Sequence, residues 1–170
     1  GNFLFSQTSE QSKNSALYFL STISKKDTSI TQIIEDFKPE WVDSLKLILP
    51  CEGVMVPKRS MRLPNAPRDY RNGIHRGIDF FANWGTPVRA VADGIVVRSD
   101  TYYKEVPADF RETMLDASAK VGNTPSDIFN SILLGKAVFL DHGFDLIPGF
   151  RVITIYAHLS HIKKRIKPGE

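Results

Sequence analysis

Apolar residues fall at helical spacing twice near the start of the chain. Ala16, Phe19, Leu20 and Ile23 form one stripe and Ile30, Ile33, Ile34 and Phe37 a second, the recurrence every three or four residues that marks the buried side of an amphipathic helix. Lys25 to Ser29 break the pattern, Asp27, Thr28 or Ser29 offers an N-cap oxygen for the second helix, and Pro39 closes it. The spacing predicts a helical hairpin as an N-terminal segment, residues 1–42. Its apolar stripe must be buried, either on the following domain or on a partner.

From Leu45 the texture changes to short runs of β-type residues punctuated by Gly and Pro. Leu45 to Leu49, Val54 to Val56, Ile78 to Phe81, Pro87 to Ala92, Gly94 to Arg98, Ala137 to Asp141 and Val152 to Ala157 are expected strands. Between the fifth and sixth, Phe110, Met114, Ala117 and Val121 form a helical stripe closed by Gly122. Thr124, Pro125 and Asp127 then match an N-cap, a first-turn proline and a capping-box acid, ahead of Ile128, Ile132 and Leu133. The pattern predicts an α+β chain: a mainly antiparallel β sheet or sandwich, residues 43–170, that carries a helical insertion at 102–135.

Composition narrows the class. In 170 residues, 42% are hydrophobic and 24% charged, which supports a packed core and argues against a disordered chain. The net charge is +3, with no run of five or more Lys or Arg; a nucleic-acid partner is not expected. Lys163, Lys164, Arg165 and Lys167 read as a solvated face. The single cysteine, Cys51, rules out an intrachain disulfide and a cysteine-based zinc knuckle. No apolar run reaches the ~20 residues of a bilayer span, and no signal-peptide pattern opens the chain. The start at Gly1 leaves room for an upstream export signal or membrane anchor.

Chemistry rests on four histidines, His75, His142, His158 and His161. His75 and Asp79 lie four residues apart. Both side-chain types bind zinc at about 2.0–2.2 Å, but four extended residues span roughly 13 Å, so sharing an ion requires a bend, which Gly77 between them permits. Spacing alone leaves a metal pair, a surface ion pair and a strand edge open. His158 ends the last strand. Strict alternation sends Ile153, Ile155 and Ala157 to the core and Thr154, Tyr156 and His158 to the open face. His142 reads as structural, and His161 as a solvated turn residue.

These residues also carry a resemblance. Gly73 to Val97, GIHRGIDFFANWGTPVRAVADGIVV, resembles the signature of the lysostaphin-like zinc endopeptidases that cut peptide crosslinks in bacterial cell walls. His75 and Asp79 match the opening motif of that family, and Gly85, Thr86, Pro87, Val88, Ala90, Asp93 and Gly94 its downstream turn pattern. Val138 to Gly143 resembles the strand ending in His-Gly, Tyr156-Ala157-His158-Leu159-Ser160 the Tyr-x-His-Leu-Ser block, and Lys167 to Glu170 the turn that follows. The resemblance covers residues 45–170 apart from the insertion. It implies a β fold of the duplicated hybrid motif type, zinc held by His75 and Asp79, and an active-site histidine, His158, that does not bind the metal. Tyr70 corresponds to a tyrosine that some members place near the reacting carbonyl, though its spacing is not diagnostic.

One departure stands out. The third zinc ligand of the family belongs to a His-x-His motif beyond the position of Glu170, and no His-x-His occurs here. His161 could replace it only if its turn folded back on His158. The expectation is that the chain is the front part of a longer protein. The resemblance further implies a peptidoglycan peptide substrate met outside the cytoplasm, with the insertion or the N-terminal hairpin placed to wall or cover the groove. Two other classes remain open at this point: a non-catalytic scaffold of the same fold that binds wall material or activates a partner hydrolase, and a sugar-transport phosphocarrier with similar Thr-Pro-Val and Asp-Gly turns.

Overall fold

The computed structural model describes residues 2–4 and 40–170. The expected hairpin at 16–37 lies outside the described residues. Asn2–Leu4, within the segment expected to be helical, form strand β1; Phe3 and Leu4 suit a strand, and the free edge of a later strand offers them a ladder. A single turn of helix, α1 (Glu40–Asp43), precedes the domain.

The structure is a mixture of helices and two antiparallel sheets. The larger sheet has the order β1-β6-β5-β4, with β4 Ile95–Ser99, β5 Val138–Asp141 and β6 Ile153–Ala157. The smaller pairs β2 (Pro67–Arg68) with β3 (Gly73–Ile74). Four expected strands, at 45–49, 54–56, 78–81 and 87–92, are instead irregular extended segments outside these ladders. Proline explains part of this, because Pro50 and Pro87 have no N–H to give a ladder. Single bonds tie the segments together: Ile48 N–H donates to the Val91 carbonyl at 3.0 Å and Arg89 N–H to that of Pro50 at 2.9 Å. Some of their apolar side chains still enter the core: Ile78, Phe80 and Val91 are buried in it and Leu47, Leu49, Val54 and Val88 pack against it, while Ile48, Met55, Val56 and Phe81 are exposed.

That core lies on one face of the large sheet. Val96, Val138, Leu140 and Tyr156 pack there with Cys51, Ile78, Phe80, Val91 and Ile162. Phe139, Ile155 and Ala157 point to the opposite face and pack with Phe129, Leu134 and Ala137, most of them brought by the insertion. Strands β5 and β6 are thus covered on both sides. This corrects the alternation expected for β6. Tyr156 is 3% exposed and Thr154 is buried, so the face expected to be open belongs to the main core, and the other is roofed by helices.

The insertion consists of α2 (Ala108–Val121), a short α3 (Ser126–Ile128) and a π turn, Phe129–Leu133. Gly122 ends α2 at φ +79°, a left-handed position that favours glycine. Thr124 does not cap α3: Pro125 is the flanking residue and no side chain caps it. The Thr124 hydroxyl instead accepts a hydrogen bond from Arg71 Nη1 at 2.7 Å. At its root the insertion is strapped to the sheet, since Arg98 grips Asp100 through two 2.8 Å bonds and donates to the Asn130 carbonyl at 3.0 Å. Helix α2 packs over the helical turn Asp69–Arg71, which leads into the His75 loop. No helix among the described residues is long and apolar enough to cross a membrane.

Candidate active site

The chain turns back between Leu63 and Asp79, and backbone bonds fix that bend. Asn65 N–H donates to the His75 carbonyl at 2.8 Å, His75 N–H to that of Ala66 at 2.7 Å and Asp79 N–H to that of Arg62 at 2.9 Å. The bend removes the extended-chain objection to a shared site: His75 Nε2 and Asp79 Oδ1 stand 3.1 Å apart. His75 Nδ1 lies 3.0 Å from the Leu63 carbonyl oxygen. A carbonyl can only accept, so Nδ1 carries a proton and donates it there. In a neutral ring Nε2 then presents a lone pair to a carboxylate oxygen, an arrangement that requires a proton or a cation between them. Arg68 Nη2 approaches the other carboxylate oxygen, Oδ2, at 3.6 Å and also donates to the Met61 carbonyl at 3.0 Å.

His158 arrives from the far side. It directly follows β6 and breaks the strand with φ +57°, while its N–H donates to the Leu134 carbonyl at 2.9 Å. A non-glycine residue in this region carries strain of order 1–2 kcal/mol, held here by the sheet on one side and the π turn on the other. The kink delivers the imidazole to the cleft that holds His75 and Asp79. Arg68, Tyr70, Arg71, Arg76, Arg111, Phe129, Leu133 and Leu134 complete its walls, around a cavity of about 170 Å³. The insertion therefore forms one wall, through Arg111, Phe129 and the two leucines.

Charges act on His158 from both directions. The residue keeps an exposed side; burial of the rest of the ring pushes its pKa below the ordinary histidine value and Arg111 adds to this, while Asp79 and Glu105 pull it upward. The net direction is down, so the ring is neutral at neutral pH and its free nitrogen can accept a proton. Arg76 is held below the usual arginine range by burial and by Arg71 beside it. Tyr70 lines the cleft and is largely exposed.

The other two histidines lie elsewhere. His142 is 3% exposed, with Nδ1 2.5 Å from the Asp93 carbonyl oxygen and Nε2 2.8 Å from the Thr154 hydroxyl. Both ring nitrogens are occupied in a buried network that continues to Tyr156, whose hydroxyl accepts from Val91 N–H at 2.9 Å. His161 is exposed and does not line the cleft. Among the described residues no group of three or more His, Cys, Asp or Glu converges as a metal site. The four arginines of the cleft escaped sequence reading, because an isolated arginine gives no sign of whether it faces solvent or a cavity.

The donor chemistry fits part of a zinc site. Two ligands of a tetrahedral ion at about 2.0–2.2 Å lie roughly 3.3 Å apart, close to the 3.1 Å between His75 Nε2 and Asp79 Oδ1. A backbone carbonyl orienting the remote nitrogen of the histidine is the usual support for a metal-ligating imidazole. No family model, no curated protein and no solved structure matches the chain significantly.

Proposed function

We infer that the protein is a zinc-dependent endopeptidase of the lysostaphin-like type, hydrolysing peptide bonds of bacterial peptidoglycan outside the cytoplasm. The observation that carries this reading is the His75 Nε2–Asp79 Oδ1 pair at 3.1 Å, with its imidazole oriented by Leu63 and a second imidazole, His158, in the same cleft. His75 and Asp79 would hold the metal; His158 would not. A zinc ion held there would polarise the scissile carbonyl and lower the pKa of a water from 15.7 towards about 7. The residues of the chain do the rest. His158, its pKa lowered by partial burial in the cleft, would accept a proton from the attacking water and return it to the leaving amine, a role worth typically 10² to 10⁴ in rate. Phe129, Leu133 and Leu134 exclude water from one side of the cleft.

A second reading, a non-catalytic scaffold of the same fold that binds wall material or activates a hydrolase, is favoured by a donor set of two among the described residues. Metal content separates them. Zinc bound by the protein should disappear in His75→Ala and Asp79→Ala, survive in His161→Ala, and be accompanied by release of new amino termini from purified peptidoglycan that His158→Ala abolishes. Zinc content unchanged in both ligand variants would refute the enzyme reading.

A further inference from the structure

Positive charge in the cleft is far from balanced. Four guanidinium groups, Arg68, Arg71, Arg76 and Arg111, line the same cavity as a single carboxylate, Asp79, and that carboxylate is already engaged by His75 and Arg68. Arg71 is 3% exposed. Its Nη1 and Nη2 donate to neutral oxygens, of Thr124 at 2.7 Å and Ile74 at 2.5 Å, and its Nε has no partner. The Arg76 guanidinium carbon lies over the Phe129 ring, 4.5 Å from its centroid. Among the described residues no acid pairs with Arg71, Arg76 or Arg111. Arg71 is buried and Arg76 half-buried, while Arg111 is exposed at the rim. Burying a cation without counter-charge is costly, and an anionic group supplied from outside would relieve that cost at Arg71 and Arg76.

We propose that Arg71, Arg76 and Arg111 form a seat for a carboxylate of the peptide being cut, so that the cleft selects an acidic residue beside the scissile bond. The proposal rests on the peptidase reading for the bond that is cut, though not for the seat itself. A guanidinium offers a planar fork of donors that matches a carboxylate in two parallel bonds. Phe129, Leu133 and Leu134 add an apolar wall beside the fork, which suits an aliphatic stem ending in a carboxylate. A cavity of about 170 Å³ has room for one such side chain. Arg111 comes from helix α2 and Arg71 is anchored to Thr124 at the base of α3, so the insertion both supplies and fixes the seat.

The test uses three synthetic peptides of one sequence: one with a free glutamate side chain and an amidated C-terminus, one with glutamine there, and one with glutamine and a free C-terminus. Binding is followed by calorimetry without added zinc, and hydrolysis separately with zinc. The wild type should bind the glutamate peptide about tenfold or more tighter than the glutamine peptide, as expected for a charge-assisted bond. Arg111→Gln, at an exposed helix position that folding tolerates, and Arg76→Gln should bring that ratio towards one. Preference for the free C-terminus instead would assign the seat to a terminal carboxylate and overturn the side-chain assignment. Equal binding of all three, a preference kept in Arg111→Gln, or competition by inorganic phosphate equal to that of the peptide would also overturn it. Acid-selective binding with no hydrolysis of any peptide would leave the seat standing and remove the peptidase reading; hydrolysis without selectivity would do the reverse.

Discussion

Replacement of Gly94 by alanine probes the buried polar network under the sheet. A Cβ at Gly94 would stand 2.8 Å from His142 Nδ1, 2.9 Å from the Asp141 carbonyl oxygen and 3.1 Å from His142 Cε1. Neither neighbour yields easily. Asp141 belongs to β5 and is paired with Ile95 on one side and Ile153 on the other, and the His142 ring is fixed at both nitrogens. Overpacking of this kind costs about 1–3 kcal/mol, and swinging the imidazole off the Asp93 carbonyl adds about 1–3 kcal/mol for a buried group left unpaired. The reduced entropy of the unfolded chain returns only about 0.4–1 kcal/mol. The net expectation for Gly94→Ala is a loss of about 2–4 kcal/mol, or roughly 5–15 °C in melting temperature for a chain of this size. A double-mutant cycle followed by urea unfolding isolates the contact. His142→Ala alone should also destabilise, and with the ring gone the extra methyl at Gly94 loses its two imidazole clashes and keeps only that with the Asp141 carbonyl, so the double variant should be less damaged than the sum by about 1–2 kcal/mol. A Gly94→Ala protein that melts with the wild type, or two changes that add within 0.5 kcal/mol, would refute the reasoning.

Other perturbations test other parts of the molecule. His158→Gly should be more stable than His158→Ala by about 1 kcal/mol, because only glycine relaxes the left-handed backbone there; equal urea midpoints would show that the strain is absent. The depressed pKa of His158 means that its share of stability is full above about pH 6.5, the ordinary histidine value, and is lost as pH falls through the lower folded value; histidine NMR should show this ring titrating below 6.5. The hydrogen bond from Arg151 and that from Gly143 N–H hold the Asp141 carboxyl below its usual range. Its contribution is therefore present above about pH 3.9 and disappears as pH drops through the folded value. Arg151→Gln should flatten that acid limb in unfolding curves measured between pH 2 and 5, and an unchanged limb would dismiss the pair.

The apolar patterning by itself pointed to a mixed helix-and-strand chain, to a helix that stops at Gly122 and to the strands β4, β5 and β6; the expected stripe of α2 is largely exposed at Phe110, Ala117 and Val121, and Ser118 is the residue that the helix buries. The motif resemblance, rather than the patterning, singled out His75, Asp79 and His158. Periodicity reveals that an element has an apolar side but not how many of its sides are covered, which is why β6 was misread: Thr154 and Tyr156 look like a solvent face until the hydroxyl of Tyr156 is seen bonded to Val91 beneath the sheet. Ladder formation at 45–49 and 87–92 likewise depended on partners with free N–H groups, which Pro50 and Pro87 do not offer. Only the tertiary structure decided that a bend at Leu63 to Asp79 closes a 3.1 Å pair, that the kink at His158 points it into the same cleft, and that the insertion brings Arg111 and holds Arg71 there. Side-chain charge is written in the sequence, but whether a charge has a partner depends on distances between segments far apart along the chain, and those are set by packing.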